Sequence, residues 1–249
     1  MHESASSGYR SGADLYRHAR PAYSPALIER FVRRFGAGSV VDLGAGTGIF
    51  TAQVDRVGVS VVAIEPVAEM RARLAAELPD VEVADGTAEA IPLADGQVDT
   101  VVAAQAFHWF TPGPALDEIH RVLRPGGHLV TVWNVRGDCD WMGEYDAIQK
   151  PYEGDTPRHA TMRWRAAIEA DARFRLVDDW GTDNPLVTTV DGVVARALST
   201  SFVAALPDDE RADIAERLRA LLRPYGPTIT FPYRSELQAW QRGERVVSK

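Results

Sequence analysis

Apolar positions along the chain fall into two alternating rhythms. Short runs of β-branched and small residues, at Val40-Val41, Ser60 to Ile64, Val81 to Ala84, Val98 to Ala104 and His128 to Trp133, each end in glycine or polar residues and are too short for helices. Between them lie segments with helical spacing. Ser24-Pro25 supplies an N-cap followed by proline at the first helical position, and Leu27, Ile28, Phe31, Val32 and Phe35 repeat on one face until Gly36. A second amphipathic segment follows Gly48 with Ile49, Phe50, Ala52, Val54 and Val57. Pro66 opens a third, whose Val67, Met70, Leu74 and Leu78 share a face before Pro79 ends it, and Thr111 to Leu123 forms a fourth. Strands alternating with helices at this spacing predict a parallel, doubly wound α/β sheet, and a strand as evenly apolar as Val101 to Ala104 predicts burial on both faces.

After Asn134 the rhythm changes. Arg136 to Arg173 is polar and aromatic, with Trp141, Tyr145, Tyr152 and Trp164, and is too long for an ordinary loop, so it reads as helical cap material. A further helix is expected at Asp208 to Leu222 and a last strand at Thr228 to Tyr233.

Composition narrows the function classes. The 249 residues are 45% hydrophobic and 25% charged, ordinary values for a globular chain with a sizeable core. A net charge of −8 argues against a nucleic-acid partner, which needs a basic face. Cys139 is the single cysteine, so no intrachain disulfide can form; with no signal-like or membrane-spanning apolar run, a cytoplasmic setting is the expectation. The six histidines are scattered without ligand spacing, and Asp138 and Asp140 beside Cys139 read as solvated acids, so no metal is expected. No pattern specifies an oligomeric state.

The chemistry concentrates at strand ends. Val40-Val41-Asp42-Leu43-Gly44-Ala45-Gly46-Thr47-Gly48 is a strand, a glycine turn and a helix start, in which glycines let the backbone press against a ligand and exposed N–H groups face it. Ile49 stands where a dinucleotide fingerprint needs its third glycine, and no Lys-Ser or Lys-Thr pair follows as a phosphate loop requires. Glu65 ends the second strand, where a carboxylate can accept both hydroxyls of a ribose. The fourth strand runs into Gln105-Ala106-Phe107-His108-Trp109-Phe110, an aromatic wall with one histidine able to orient or deprotonate an acceptor. A structural turn, an acid near a helix start and a buried structural histidine remain the alternatives for these three places.

Together with Gly86-Thr87-Ala88-Glu89 and Leu123-Arg124-Pro125-Gly126-Gly127, the V-V-D-L-G-A-G-T-G turn resembles a class I S-adenosylmethionine-dependent methyltransferase of the type 11 small-molecule group. The resemblance runs in order through roughly residues 15 to 135. It implies a Rossmann-like seven-stranded sheet, mostly parallel with the last strand antiparallel, and a helical cap insertion. It divides the chain into a mobile N-terminal lid (1–23), a cofactor-binding core (24–135) and a cap with the C-terminal strands (136–249). The donor would be S-adenosyl-L-methionine, leaving S-adenosyl-L-homocysteine, and the acceptor a small molecule, through a carboxylate or hydroxyl oxygen.

The same resemblance implies a cofactor site of Tyr16, Arg20, Asp42, Gly44, Ala45, Gly46, Glu65, Pro66, Met70, Thr87, Ala88 and Gln105, with His108 catalytic. Leu15-Tyr16-Arg17-His18-Ala19-Arg20-Pro21 matches the family's entry segment, in which tyrosine and arginine close over the donor's carboxylate. Thr87 departs from the usual aspartate, removing a charged acceptor for the adenine amino group. Family members with His-Trp at the fourth-strand end include enzymes that methylate small carboxylic acids. A non-catalytic adenosyl-binding module and a nicotinamide-dependent oxidoreductase share parts of this pattern and stand as alternatives.

Overall fold

A computed structural model describes residues 20–243. Tyr16, and most of the segment expected as a lid, lie outside the described residues. The first helix, α1 (Pro25–Phe35), begins where the sequence places it, with the Ser24 side chain accepting from Leu27 N–H, and it buries Leu27, Ile28, Phe31 and Phe35. Strand β1 (Val40–Leu43), helix α2 (Ile49–Asp55), strand β2 (Val61–Ile64), helix α3 (Ala68–Glu77), strand β3 (Glu82–Ala84), strand β4 (Val98–Ala104), helix α4 (Pro112–Val122) and strand β5 (Leu123–Arg136) follow. Helix α2 stops at Asp55, so Val57 is 55% exposed instead of extending the buried face. Helix α3 starts two residues after Pro66, with Glu65 Oε1 accepting from Val67 N–H ahead of its first turn.

Beyond β5 come α5 (Met142–Gln149), α6 (Arg163–Glu169), β6 (Phe174–Asp183), β7 (Leu186–Thr189), α7 (Val190–Leu198), α8 (Ser201–Ala204), α9 (Asp208–Leu222), β8 (Thr228–Phe231) and β9 (Tyr233–Arg242). Seven strands form one sheet in the order β3-β2-β1-β4-β5-β9-β6. β9 is antiparallel to both neighbours, whereas β1 to β5 pair in parallel. The last strand expected at Thr228 to Tyr233 is corrected on two points. Residues 228–231 leave the sheet to form a two-stranded ribbon with β7, and Tyr233–Arg242 is the closing strand. Its Leu237 and Ala239 pack on one face and Trp240 on the other, a pattern that shows which faces are buried only once two partner strands are in place.

Both sheet faces are covered, as its evenly apolar strands require. Val41, Leu43, Val101, Ala103 and Trp133 pack on one side with α4 and α6, and Val40, Val102, Val130, Val132 and Leu237 on the other with Phe31 and Phe50. The expected cap over Arg136 to Arg173 divides between two cores. Trp164 and Ile168 of α6 join the sheet's core, while Tyr145 and Ile148 of α5 pack with α7, α9 and the β7–β8 ribbon. Arg136 at the end of β5 pairs with Tyr233 at the start of β9, and Asp183 at the end of β6 with Arg234. The cap segments therefore all leave the carboxyl edge of the parallel strands, where ligands of such sheets sit.

Candidate active site

Two cavities open at that edge and share a dividing wall. The first is lined by the turn after β1, by Glu65, Pro66 and Met70, by residues 86–89, and by Gln105, Trp109 and Phe110. It holds Arg20, Gly44, Ala45, Gly46, Glu65, Pro66, Met70, Thr87, Ala88 and Gln105 of the residues expected to bind the cofactor. Tyr23, two residues after the entry segment's Pro21, also lines it, as do Asn134, Arg196 and Tyr233, which no local motif singled out.

The glycines of the first turn differ in their reasons. All three have positive φ, +74° at Gly44, +58° at Gly46 and +79° at Gly48. A Cβ on Gly44 would meet Ala106 at 2.8 Å and one on Gly48 would meet Leu74 at 2.8 Å, so those positions serve close packing. At Gly46 the nearest atom is Met70 Sδ at 3.8 Å, so a side chain there would project into cavity space. Gly46 N–H donates to Glu65 Oε2 at 2.8 Å, which binds the turn to the end of β2. Glu65 is 5% exposed and takes Val67 N–H on its other oxygen, and burial pushes its pKa up. Each carboxylate oxygen retains acceptor capacity toward a diol.

Asp42 does not line the cavity. It is buried behind the turn, where Oδ2 accepts from the Thr51 hydroxyl at 2.6 Å and Oδ1 has no hydrogen-bond partner. Burial, reinforced by the nearby Glu65 charge, raises its pKa to about 7 against the opposing Thr51 bond. An orphaned oxygen this close to an ammonium-bearing ligand's cradle is a fit for such a group, acting through the turn rather than by contact. The loop at residues 86–89 is ordered by Glu89, which accepts from Thr111 N–H at 2.9 Å and from the Thr87 side chain.

Gln105 directly follows β4 at the divide, with φ +57°, a conformation that side chains with a Cβ adopt only under constraint. Its N–H donates to Val132 O and its side chain to Asn134 O at 3.0 Å. Asn134 in turn donates to Pro21 O and Ala22 O and accepts from Ser235 Oγ at 2.6 Å, so β5 holds the entering chain against β9. Arg20 lines both cavities and donates to Ser199 O at 3.1 Å, linking that chain segment to the cap. The expected aromatic wall is partly redirected: Phe107 faces the core at 1% exposure, and Trp109 and Phe110 face the first cavity.

His108 points the other way, into the second cavity of about 400 Å³. Its ring lies 5.5 Å from Trp133 and 4.8 Å from Trp109. His159, brought in by the cap, lies 4.6 Å from Trp133. Burial, with the neighbouring His159, Arg158 and Arg20, lowers the His108 pKa to about 3, and burial lowers that of His159 to about 4. His108 Nδ1 and His159 Nε2 have no hydrogen-bond partner, so the backbone carbonyl expected for a purely structural histidine is absent at His108 Nδ1. Both imidazoles are neutral at physiological pH, able to hydrogen-bond and poor at taking protons. Arg20, Gln105, Trp109, Asn134 and Arg196 line both cavities, so they form the wall between them.

Comparison with known proteins agrees with this layout. A family model described as a methyltransferase domain matches residues 41–131. An uncharacterized methyltransferase of Mycobacterium tuberculosis (strain ATCC 25618 / H37Rv) is 35% identical over 215 residues, covering 86% of this chain and 85% of its own. An uncharacterized methyltransferase-like protein of Schizosaccharomyces pombe is 32% identical over 219 residues, covering 86% and 84%. Among solved structures, one from Anaeromyxobacter dehalogenans, described as a proposed type II methyltransferase, superposes with a TM-score of 0.61 at 25% identity, covering 90% of this chain and 97% of its own.

Proposed function

The chain belongs to the class I S-adenosylmethionine-dependent methyltransferases, and we propose that it methylates a carboxylate oxygen of a small molecule held in the second cavity. When bound in the first cavity, S-adenosylmethionine supplies an electrophilic methyl on its sulfonium sulfur. The residues that would hold it are Gly46 at the open cradle, Glu65 at the ribose, Met70 and residues 87–88 at the adenine, and Arg20 at the carboxylate, with the Asp42 charge behind the turn.

The observation that carries the acceptor class is the environment of His108. With a pKa near 3 it is a weak base, unsuited to deprotonating an alcohol, whereas a carboxylate is already ionised and needs only positioning. Neutral His108 and the Gln105 side chain can orient an oxygen at the divide. A second cavity beside the first, with room for an acceptor, also favours turnover over a bare adenosyl-binding module. Ile49 in place of the third fingerprint glycine disfavours nicotinamide.

The test is incubation of the full chain with isotope-labelled S-adenosylmethionine and a panel of carboxylic acids and alcohols, with products followed by mass spectrometry. A label that mild alkali releases as methanol marks a methyl ester. Labelled ethers alone would overturn the carboxylate reading.

A further inference from the structure

Between Arg20 and the first turn of α1 the chain has no regular structure, yet side chains from four distant parts of the sequence hold its backbone. Gln53 of α2 accepts from Tyr23 N–H and donates to Tyr23 O, both at 2.9 Å. Asn134 of β5 donates to Pro21 O at 3.0 Å and to Ala22 O at 3.2 Å. Asn184, just past the end of β6, donates to Ala22 O at 2.8 Å, and Ser235 of β9 accepts from Ser24 N–H at 3.1 Å. Starting α1 needs only the Ser24 cap. The bonds to residues 21–23 lie ahead of that cap, on the stretch whose Pro21 and Tyr23, with Arg20, make one wall of the first cavity.

Asn184 completes this arrangement without lining either cavity. It also donates to Asn134 Oδ1 at 3.1 Å, and the same oxygen accepts from Ser235 Oγ at 2.6 Å. With two donors aimed at its oxygen, the Asn134 amide has one orientation left, its NH2 toward Pro21 O and Ala22 O. Ala22 O in turn uses both lone pairs, one on Asn134 and one on Asn184. Asn134 and Thr182 both pair with Ser235 in the sheet register, so Asn184, two residues beyond Thr182, stands on the same side of the ladder. Pro185 favours extended backbone at Asn184, whose N–H donates to Tyr233 O at 2.8 Å. A polar network with its members satisfied is stiff, and removing one member leaves the others short of partners.

We propose that Asn184 is a positioning residue for cofactor binding: it locks the Asn134 amide and the Ala22 carbonyl, and so sets where the chain stands at Pro21 and where Arg20 meets the first cavity. This rests on the placement of S-adenosylmethionine in that cavity proposed above, and adds to it a residue outside the cavity. Asn184 opens the link from β6 to β7, so the wall is tied to the cap ribbon as well as to the sheet. The clasp holds the chain from Pro21 onward without a ligand, and the cofactor meets a prepared wall instead of ordering one at its own expense.

The test is calorimetry on the full chain with S-adenosylhomocysteine and with adenosine, for the parent, Asn184→Ala, Asn184→Asp, Arg20→Ala and the Asn184→Ala, Arg20→Ala pair. Asn184→Ala should weaken S-adenosylhomocysteine about tenfold, the scale of two hydrogen bonds, and adenosine by less than about threefold. Asn184→Asp has the same shape but offers a carboxylate to two acceptors, and should do at least as much damage. In a chain already carrying Arg20→Ala, Asn184→Ala should cost little more, because the residue it positions is gone. Equal losses for both ligands, or additive effects of the two substitutions, overturn the positioning role and leave Asn184 a support of the fold alone. In the unmodified chain without cofactor, the Tyr23 and Ser24 amides should be protected from hydrogen exchange, a measurement that stands even if no Asn184 variant folds. Free exchange at both overturns the clasp. S-adenosylhomocysteine binding by Asn184→Asp at the parent's affinity overturns the proposal and leaves the cofactor site intact. No binding of S-adenosylhomocysteine by the parent overturns the cofactor's placement and this proposal with it.

Discussion

The Thr51 hydroxyl donates a 2.6 Å hydrogen bond to Asp42 Oδ2 in a place where both residues are buried, at 0% and 1% exposure. That bond opposes, without cancelling, the desolvation that raises the Asp42 pKa to about 7. Because the folded value lies above the unfolded value of 3.8, the native chain keeps a proton that the unfolded chain has lost. This group's contribution to stability therefore falls as pH rises from about 4 to about 7.

Asp42→Asn should remove that slope. In urea unfolding without cofactor, the variant is expected to be more stable than the parent at alkaline pH, by up to about 4 kcal/mol, and equal to it in acid. Affinity for S-adenosylmethionine, with its ammonium, should rise through about pH 7 in the parent only. A stability difference constant across pH would mean Asp42 is ionised throughout.

The glycines give a contrast within one turn. Gly46→Ala should fold at a cost of about 1 kcal/mol for its positive φ, and lose affinity for S-adenosylmethionine because its methyl enters the cradle. Gly44→Ala adds a clash with Ala106 at 2.8 Å and should be the less stable of the two. Thermal unfolding with and without S-adenosylhomocysteine checks both, and normal cofactor binding by Gly46→Ala would remove the turn from the site.

Glu65→Ala should weaken S-adenosylmethionine binding by about 1 to 3 kcal/mol, the scale of losing charge-assisted hydrogen bonds. Since Glu65 also holds Gly46 N–H and Val67 N–H, part of that loss is loosening of the turn. An analogue lacking both ribose hydroxyls separates the parts, because only the ribose share disappears with it. Additive effects of the substitution and the analogue would place the ribose elsewhere.

His108→Gln should retain much of the turnover on a carboxylate acceptor, whereas His108→Ala should lose about tenfold in kcat with little change in cofactor affinity. With a pKa of about 3, His108 itself places no step in the pH–rate profile across the neutral range. Equal damage by Gln and Ala, together with a loss of rate below about pH 6 that both variants remove, would make His108 a general base.

Arg20→Ala should weaken S-adenosylmethionine more than adenosine, which has no carboxylate to clamp. Its bond to Ser199 O gives a competing role in seating the cap, and that role predicts the same loss for both ligands together with a lower unfolding midpoint. Calorimetry with the two ligands distinguishes them.

Much of the core was determined by local pattern. Runs of β-branched residues ending in glycine turns can form little else than parallel strands feeding helices, and the side chains at those strand ends then meet by geometry. This is why the turn from Gly44 to Gly46, Glu65 and Gln105 are legible in the sequence, whereas Met70 and Thr87 came from the family resemblance, and all line one cavity in the fold. The same logic reached too far with Asp42, whose place at the strand end says nothing of whether it faces the ligand or the turn's interior.

What tertiary structure alone decided lies beyond residue 135. Thr228 to Phe231 and Tyr233 to Arg242 are both plausible strands, and only their pairing partners, distant in the chain, assign the first to a ribbon and the second to the sheet. Arg136, Arg158 and Arg196 carry no shared spacing, and they line one cavity because the cap folds back over the edge of the sheet. His159 likewise meets Trp133 through that fold-back. Periodicity reports which face of an element is buried, while long-range packing determines what that face is buried against.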